Sequence, residues 1–291
     1  MIVLRAQESP LNLILATYAK NSFTHELAQQ LVTPSGLFAN ATLVVKDNPP
    51  GVIEEVASGR ADYGVIPWWN LYADTSGVPL SYRLLVDNHP FVHRVVRKRI
   101  KLSLSTTGTS FEEINTVYAM RVLAPQCQQF FEESLAGVEV IHDGIDNTPK
   151  AMAKALSHGR GAAAVGPAGA AREAGLTIIR DGVENPDNTT SFFIVSKLQP
   201  LPGGRRLLLV EVSDKVDEAA AIGDVLSPAF RRSDYLAYDY RLEDRAYSRE
   251  RNHLFIVSVS PPNNPPLPLA SEYLVCVTDI GAALDASERI Y

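Results

Sequence analysis

The sequence predicts an α/β fold of two lobes followed by a smaller α+β module, and three observations carry that prediction. Short apolar, β-branched runs alternate with Ala-rich helical stretches over the first two-thirds of the chain. The middle of the chain repeats that theme, which implies a second lobe. A Pro/Gly-rich stretch, QPLPGG (199–204), then precedes a change of composition and reads as a linker. The expected units are 1–198 and 205–291.

In order, LNLILATY (11–18) reads as a buried strand. SFTHELAQQLV (22–32) reads as a helix N-capped by Ser22, with Phe23, Leu27 and Leu31 on one stripe. ATLVVKD (41–47) is a strand, PPGVIEEVASG (49–59) a helix with prolines in its first turn, and ADYGVIPW (61–68) a strand. This βαβαβ rhythm implies parallel strands with helices on both faces. FVHRVVRKRIKLSLST (91–106) reads as a pair of strands and VYAMRVLAPQCQQFFEESL (117–135) as a strand leading into a helix. VEVIHD (138–143) is a strand, NTPKAMAKALSHG (147–159) a helix capped by Asn147, and AAAVGPAGAAREAGL (162–176) a strand turning into a helix. TIIRDGV and SFFIVSKL close the region. Two such lobes with a crossover between them place a ligand in the cleft at the strand C-termini.

Beyond the linker, RRLLLVEVSD (205–214) reads as a strand and KVDEAAAIGDVL (215–226) as a helix. DYLAYDYRLEDRAYS (234–248) and NHLFIVSVS (252–260) form an antiparallel pair. The Pro-rich PPNNPPLPL (261–269) is a loop, EYLVCVTDI (272–280) a strand, and GAALDASERIY a short helix or tail.

The chain has 291 residues, 46% of them hydrophobic, and a net charge of −6. That balance argues against a nucleic-acid partner, because a phosphate backbone is held by clustered Lys and Arg. The exception is the run Arg94, Arg97, Lys98, Arg99 and Lys101, which suits a solvated face or an anionic small molecule. Cys127 and Cys276 stand far apart and no Cys/His pair has zinc-ligand spacing, so neither a disulfide framework nor a metal site is expected. The N-terminus lacks a basic stretch followed by an apolar core, and no apolar run approaches the roughly 20 residues of a membrane helix. The expectation is a cytoplasmic protein with no membrane partner.

Five segments resemble the prephenate dehydratase family across roughly residues 11–197. NSFTHELA (21–28) is similar to its GTFSEEAA, and SGRADYGVIPWWN (58–70) to its SGEADYGVVPIEN. VYAMRVLAPQC (117–127) is similar to VYSHPQALAQC, AAAVGPAGAAREAGL (162–176) to AAIASEEAAELYGL, and DNTTSFFIV (187–195) to the N-x-T-R-F motif. The resemblance implies a two-lobed, type II periplasmic-binding-protein-like catalytic domain, a C-terminal ACT domain and a homodimer or dimer of dimers. It implies a lyase that takes prephenate, a doubly acidic cyclohexadiene, to phenylpyruvate without metal or organic cofactor. Hydroxide is a poor leaving group, so that reaction needs a hydrogen-bond or proton donor at the ring oxygen.

The resemblance implies roles residue by residue. Thr190 falls on the threonine of T-R-F and is the candidate donor, Ser191 replaces the arginine, and Phe192 keeps the aromatic residue. Asn70 matches an asparagine whose amide can reach a carboxylate or hydroxyl; Trp69 and Leu71 take the neighbouring glutamate and serine positions. Gln126 matches a substrate-binding glutamine, while Ala119 replaces a serine and Met120 and Arg121 replace His-Pro. Arg121 is therefore a candidate for the lost positive charge. Ser22 and Thr24 fall on the Thr and Ser of GTFS, Asn21 on its glycine, and Thr148 on a threonine at a helix start. All suit either N-capping or a carboxylate. Cys127 reads as a small buried apolar residue, and His25, His89, His93 and His142 receive no role.

Family ACT domains that bind phenylalanine resemble G-A-L and E-S-R-P at two places. Here those read VDEAAAI (216–222) and YRLEDR (240–245), which predicts a structural or dimerising role without phenylalanine feedback. Two other functions compete with the dehydratase reading. One is a prephenate decarboxylase-like enzyme of specialised metabolism that keeps the ring hydroxyl, as relatives with an altered T-R-F do. The other is a non-catalytic module that only binds its metabolite.

Overall fold

The computed structural model describes residues 12–70, 72–73, 90–108, 110–198 and 215, and the backbone of strands 205–213, 240–241, 252–259 and 274–283. Leu71, His89, the linker and, apart from Lys215, the helix expected over 215–226 lie outside the described residues, as do residues 284–291. The side chain of Trp69 lies outside them too.

The first lobe is built from β1 (Ile14–Tyr18), α1 (Phe23–Leu31), β2 (Thr42–Lys46), α2 (Pro49–Ala57), β3 (Tyr63–Asn70) and β4 (Phe91–Arg99). β1 pairs in parallel with both β2 and β3. Side chains alternate faces along a strand, and β3 shows what each face meets. A Cβ at Gly64 would come 2.7 Å from Val52 and 2.9 Å from Val56, so α2 lies directly on that face. Its neighbour Val65 shares a core cluster with Leu27 and Leu31 of α1 on the other. The expected helices on both faces are therefore present. Each terminus is fixed locally: Ser22 Oγ accepts the His25 N–H and Asn48 Oδ1 the Gly51 N–H.

The second lobe comprises β5 (Ser103–Thr106), β6 (Thr116–Tyr118), α3 (Gln128–Ser134), β7 (Glu139–Ile141), α4 (Thr148–His158), β8 (Ala162–Gly166), α5 (Ala168–Glu173) and β9 (Thr177–Asp181). Its five strands run in the order β7-β6-β8-β5-β9. All five residues of β8, AAAVG, are buried, and their small volume lets helices approach both faces. Ala163 and Val165 pack in the cluster that holds Cys127 and Leu135, whereas Ala164 packs with Met152 and Ala155 of α4. Fully burying a Val, Leu or Ile side chain contributes about 1.5–3 kcal/mol, so both faces stabilise the lobe.

The chain crosses between lobes twice, at 100–102 and again at 182–188, before β10 (Thr189–Ser196) returns to the first sheet. The expected β4–β5 pair therefore does not form. β4 lies against β10 in one sheet, while β5 joins β8 and β9 in the other. The three residues between β4 and β5 carry the chain across instead of turning it back. The two crossovers hold each other through Ile100 N–H to Asn188 O at 2.9 Å and Val183 N–H to Leu102 O at 3.0 Å.

β11 (Arg205–Ser213), β12 (Tyr240–Arg241), β13 (Asn252–Val259) and β14 (Leu274–Ala283) run in the order β12-β13-β11-β14 with every neighbour antiparallel. The expected antiparallel contact between the third and fourth segments of this module is the β12–β13 pair. Gly281–Ala283 belongs to β14, not to a terminal helix. β14 meets β4 in parallel through Gly281 and Val92, which extends the first sheet to nine strands.

Candidate active site

A cavity of about 580 Å³ opens between the lobes and takes its walls from both. That is a common size for a small-molecule site, for which ~300–1,000 Å³ is usual. Seven of the ten residues singled out in the sequence line it: Ser22, Thr24, Asn70, Gln126, Thr148, Thr190 and Phe192.

At its base lies a buried amide cluster. Asn70 Oδ1 accepts the backbone N–H of Tyr72 at 2.9 Å and of Ala73 at 3.0 Å, which fixes which way the amide faces. Its Nδ2 then points at four oxygens: Asn188 Oδ1 at 2.8 Å, Thr190 Oγ1 at 2.9 Å, Thr189 O at 3.2 Å and Gln126 Oε1 at 3.3 Å. Gln126 is anchored by donating Nε2 to Val122 O at 2.6 Å, and its Oε1 accepts Asn188 Nδ2 at 2.9 Å. One consequence concerns Thr190: because its hydroxyl oxygen accepts from Asn70, its own proton is available to donate elsewhere.

Asn188 has no place in the sequence-based set, yet it ties the first lobe's Asn70 to the second lobe's Gln126. The signal was present, since Asn188 is the N of the N-x-T segment. Asn185 supports the same wall, its side chain donating to Pro125 O and accepting from Gln129 N–H on either side of Gln126.

β3 is bulged opposite Ser191 and Phe192, with Thr190 facing Asn70, Ser191 facing Trp69 and Phe192 facing Pro67. The extra residue is Trp68, so Pro67, Trp68 and Asn70 all contribute to the cavity wall. Trp68 stacks on Phe193 at 4.4 Å. Ser191 is 1% exposed and does not line the cavity. Arg121 is not brought to it either: its guanidinium is exposed, 3.7 Å from Asp143. Among the described residues no Lys, Arg or His lines this cavity, and the acidic groups on it, Asp47 and Asp146, are both exposed.

Positive potential comes instead from backbone. The starts of α1, α2 and α4 all reach the cavity, through Ser22–Thr24, Asn48–Pro49 and Asn147–Pro149. A helix leaves its first N–H groups without intrahelical partners and carries a partial positive charge there. Prolines at the first two positions of α2 remove its donors, which leaves the N–H groups of Phe23, Thr24 and Thr148. The turn into α1 is shaped for this. Ala19 and Asn21 have φ of 47° and 64°, and asparagine tolerates that left-handed region where the family has glycine.

Burial pushes the Tyr18 hydroxyl up, opposed by a hydrogen bond with Thr24. Burial pushes the Cys127 thiol up to about 12, with the Glu184 carboxylate adding to it, so it is no nucleophile at neutral pH. His25 is lowered by burial and then by Lys20, and its Nδ1 accepts the Asn21 N–H at 3.1 Å, which leaves the proton of the neutral ring on Nε2. Among the described residues, no group of three or more His, Cys, Asp or Glu is placed to hold a metal, and no helix is long and apolar enough to cross a membrane.

Residues 19–200 match the family described as prephenate dehydratase. A bifunctional chorismate mutase/prephenate dehydratase of Aquifex aeolicus (strain VF5) is 28% identical over 199 residues, covering 67% of this chain and 52% of that protein. The chain spans about half the length of the curated relatives it matches. Among solved structures, the prephenate dehydratase of Staphylococcus aureus subsp. aureus Mu50 superimposes with a TM-score of 0.65 at 20% identity, over 93% of this chain and 99% of that one. GqqA, described as a novel type of quorum quenching acylase, superimposes with a TM-score of 0.61 at 22% identity, over 94% and 98%. With more than half of its length matched to one family, the chain belongs to the prephenate dehydratase family.

Proposed function

We propose that this chain is a lyase that converts prephenate to phenylpyruvate, and the observation that carries the reading is the Asn70–Thr190 hydrogen bond. In the proposed reaction the C–CO2 bond breaks, its electron pair enters the ring, and the C–OH bond opposite breaks. The departing oxygen leaves as water, so one proton is consumed for each CO2 released. Asn70 holds the Thr190 oxygen, and the Thr190 proton faces the leaving hydroxyl. The N–H groups of Phe23 and Thr24 receive the keto-acid carboxylate, which stays with the product. The ring carboxylate sits toward Trp68 and Phe192, where no fixed cation over-stabilises the group that must leave. Among the described residues no Lys or Arg lines the cavity, which supports this division, since tight pairing of both carboxylates would bind substrate without favouring the transition state.

The periplasmic-binding-protein-like arrangement of residues 1–198 belongs to the same proposal, supported by the two crossovers between lobes. Residues 205–291 form an ACT-like module in this reading, supported by the strand order β12-β13-β11-β14, and it serves homodimer assembly without phenylalanine feedback.

The test is to incubate the protein with prephenate at neutral pH and identify the product. Aromatic phenylpyruvate supports the proposal. A dihydro-hydroxyphenylpyruvate assigns the chain to decarboxylation with the hydroxyl retained, and saturable binding without consumption assigns it to sensing. Thr190→Val should slow aromatisation by about 10²–10³, the usual effect of losing one transition-state donor. Undiminished turnover removes Thr190 from the mechanism.

A further inference from the structure

A second cavity, of about 740 Å³, lies at the hinge where the chain leaves the first lobe, and unlike the active site it is bordered by cationic side chains. Four cations border it, Lys98, Arg99, Lys101 and Arg172, against two carboxylates, Glu26 and Asp181. These cations include three members of the basic run that the active site does not use.

Three features mark this as more than a solvated face. Lys98 is 7% exposed, and a buried ammonium requires partners for its three hydrogens. Its contacts are loose: Gln30 Oε1 at 3.3 Å and Glu26 Oε2 at 3.7 Å, both beyond the usual 2.7–3.2 Å. Among the described residues, the side chains of Arg99, Lys101 and Arg172 form no ion pair or hydrogen bond. Asp181 Oδ1 accepts the Ser103 hydroxyl at 2.7 Å. The cations also come from different bodies: Lys98 and Arg99 end β4, Lys101 lies in the crossover, and Arg172 comes from α5 of the second lobe.

We propose that this hinge cavity binds a small phosphate-bearing anion, held between Lys98, Lys101 and Arg172, which ties the second lobe to the hinge. Phosphate suits the donor set. Arg172 can offer two parallel N–H donors, and the lysines add point charges around the remaining oxygens. The site does not depend on the reaction assigned to the cleft.

Isothermal titration of the full chain with inorganic phosphate, against chloride at constant ionic strength, tests it. Saturable binding is expected, weakened at least tenfold in the Lys101→Ala/Arg172→Ala double variant and unchanged in Thr190→Val. Both substituted side chains are exposed, so the double variant keeps the core. Glycerol 3-phosphate is the second arm: tighter binding than inorganic phosphate identifies a phosphate ester as the ligand, and equal binding identifies free phosphate. Absence of saturation, indifference to the double substitution, or tighter binding of citrate than of either phosphate overturns the proposal.

Discussion

Asn70→Asp isolates the donor function of one side chain at nearly constant shape. The oxygen that accepts from Tyr72 and Ala73 N–H is retained, so the turn after β3 is not disturbed. What changes is the other atom, which becomes an oxygen facing Asn188 Oδ1, Gln126 Oε1 and Thr189 O. An amide nitrogen has two hydrogens, so two hydrogen bonds are lost at about 1 kcal/mol each. Burying a carboxylate oxygen against carbonyl oxygens adds about 1–3 kcal/mol. Neither neighbouring amide can relieve it by flipping, because Gln126 Nε2 is held by Val122 O and Asn188 Nδ2 by Gln126 Oε1. The expected loss is therefore about 3–5 kcal/mol out of the roughly 5–15 kcal/mol of a typical domain. Only Thr190 can adapt, by turning its proton onto the new carboxylate, and prephenate turnover then falls about 10²–10³ with the donor spent. Urea denaturation followed by circular dichroism reads the first effect and loss of prephenate the second. A destabilisation under 1 kcal/mol together with turnover within threefold of the parent would refute the argument.

Two further outcomes follow from the fold. Hydrogen bonds from Arg60, then Lys46, hold the Glu55 carboxyl at about 2 instead of the ordinary 4.5. Because the folded value is the lower one, this stabilisation is complete above about pH 4.5 and is lost as pH falls through that value toward 2. Glu55→Gln should flatten that limb of a stability–pH curve, and an unchanged limb would count against the triad. At Gly166, an added Cβ would stand 2.5 Å from Thr148 Cγ2 and 2.7 Å from Met152 Cε, so Gly166→Ala must push α4 outward. It should cost about 1–3 kcal/mol and raise the KM for prephenate by displacing Thr148 from the cavity wall; an unaltered melting temperature and KM would contradict that packing.

Much of the architecture was legible before any coordinates. Ser22, Asn48 and Asn147 announce their helices because a capping side chain acts within three residues of itself. The runs that became β1, β3, β8 and β10 are apolar because both of their faces are covered. The family motifs likewise pointed to Asn70, Gln126 and Thr190, which meet although 120 positions separate the first from the last. The pairing of residues 91–106 was not legible, since an apolar run does not reveal that three residues carry the chain into another sheet.

Arg121 shows the same limit from the other side: charge in a motif does not say whether a side chain faces the cleft or solvent. Nor could composition reveal that Asn188 closes the amide cluster or that the basic run surrounds a cavity with Arg172. Local interactions determine which segments become helices and strands, and the sequence states them directly. Which side chains share a cavity depends on how two sheets are set against each other by crossovers of a few residues, and that is settled only when the chain is folded.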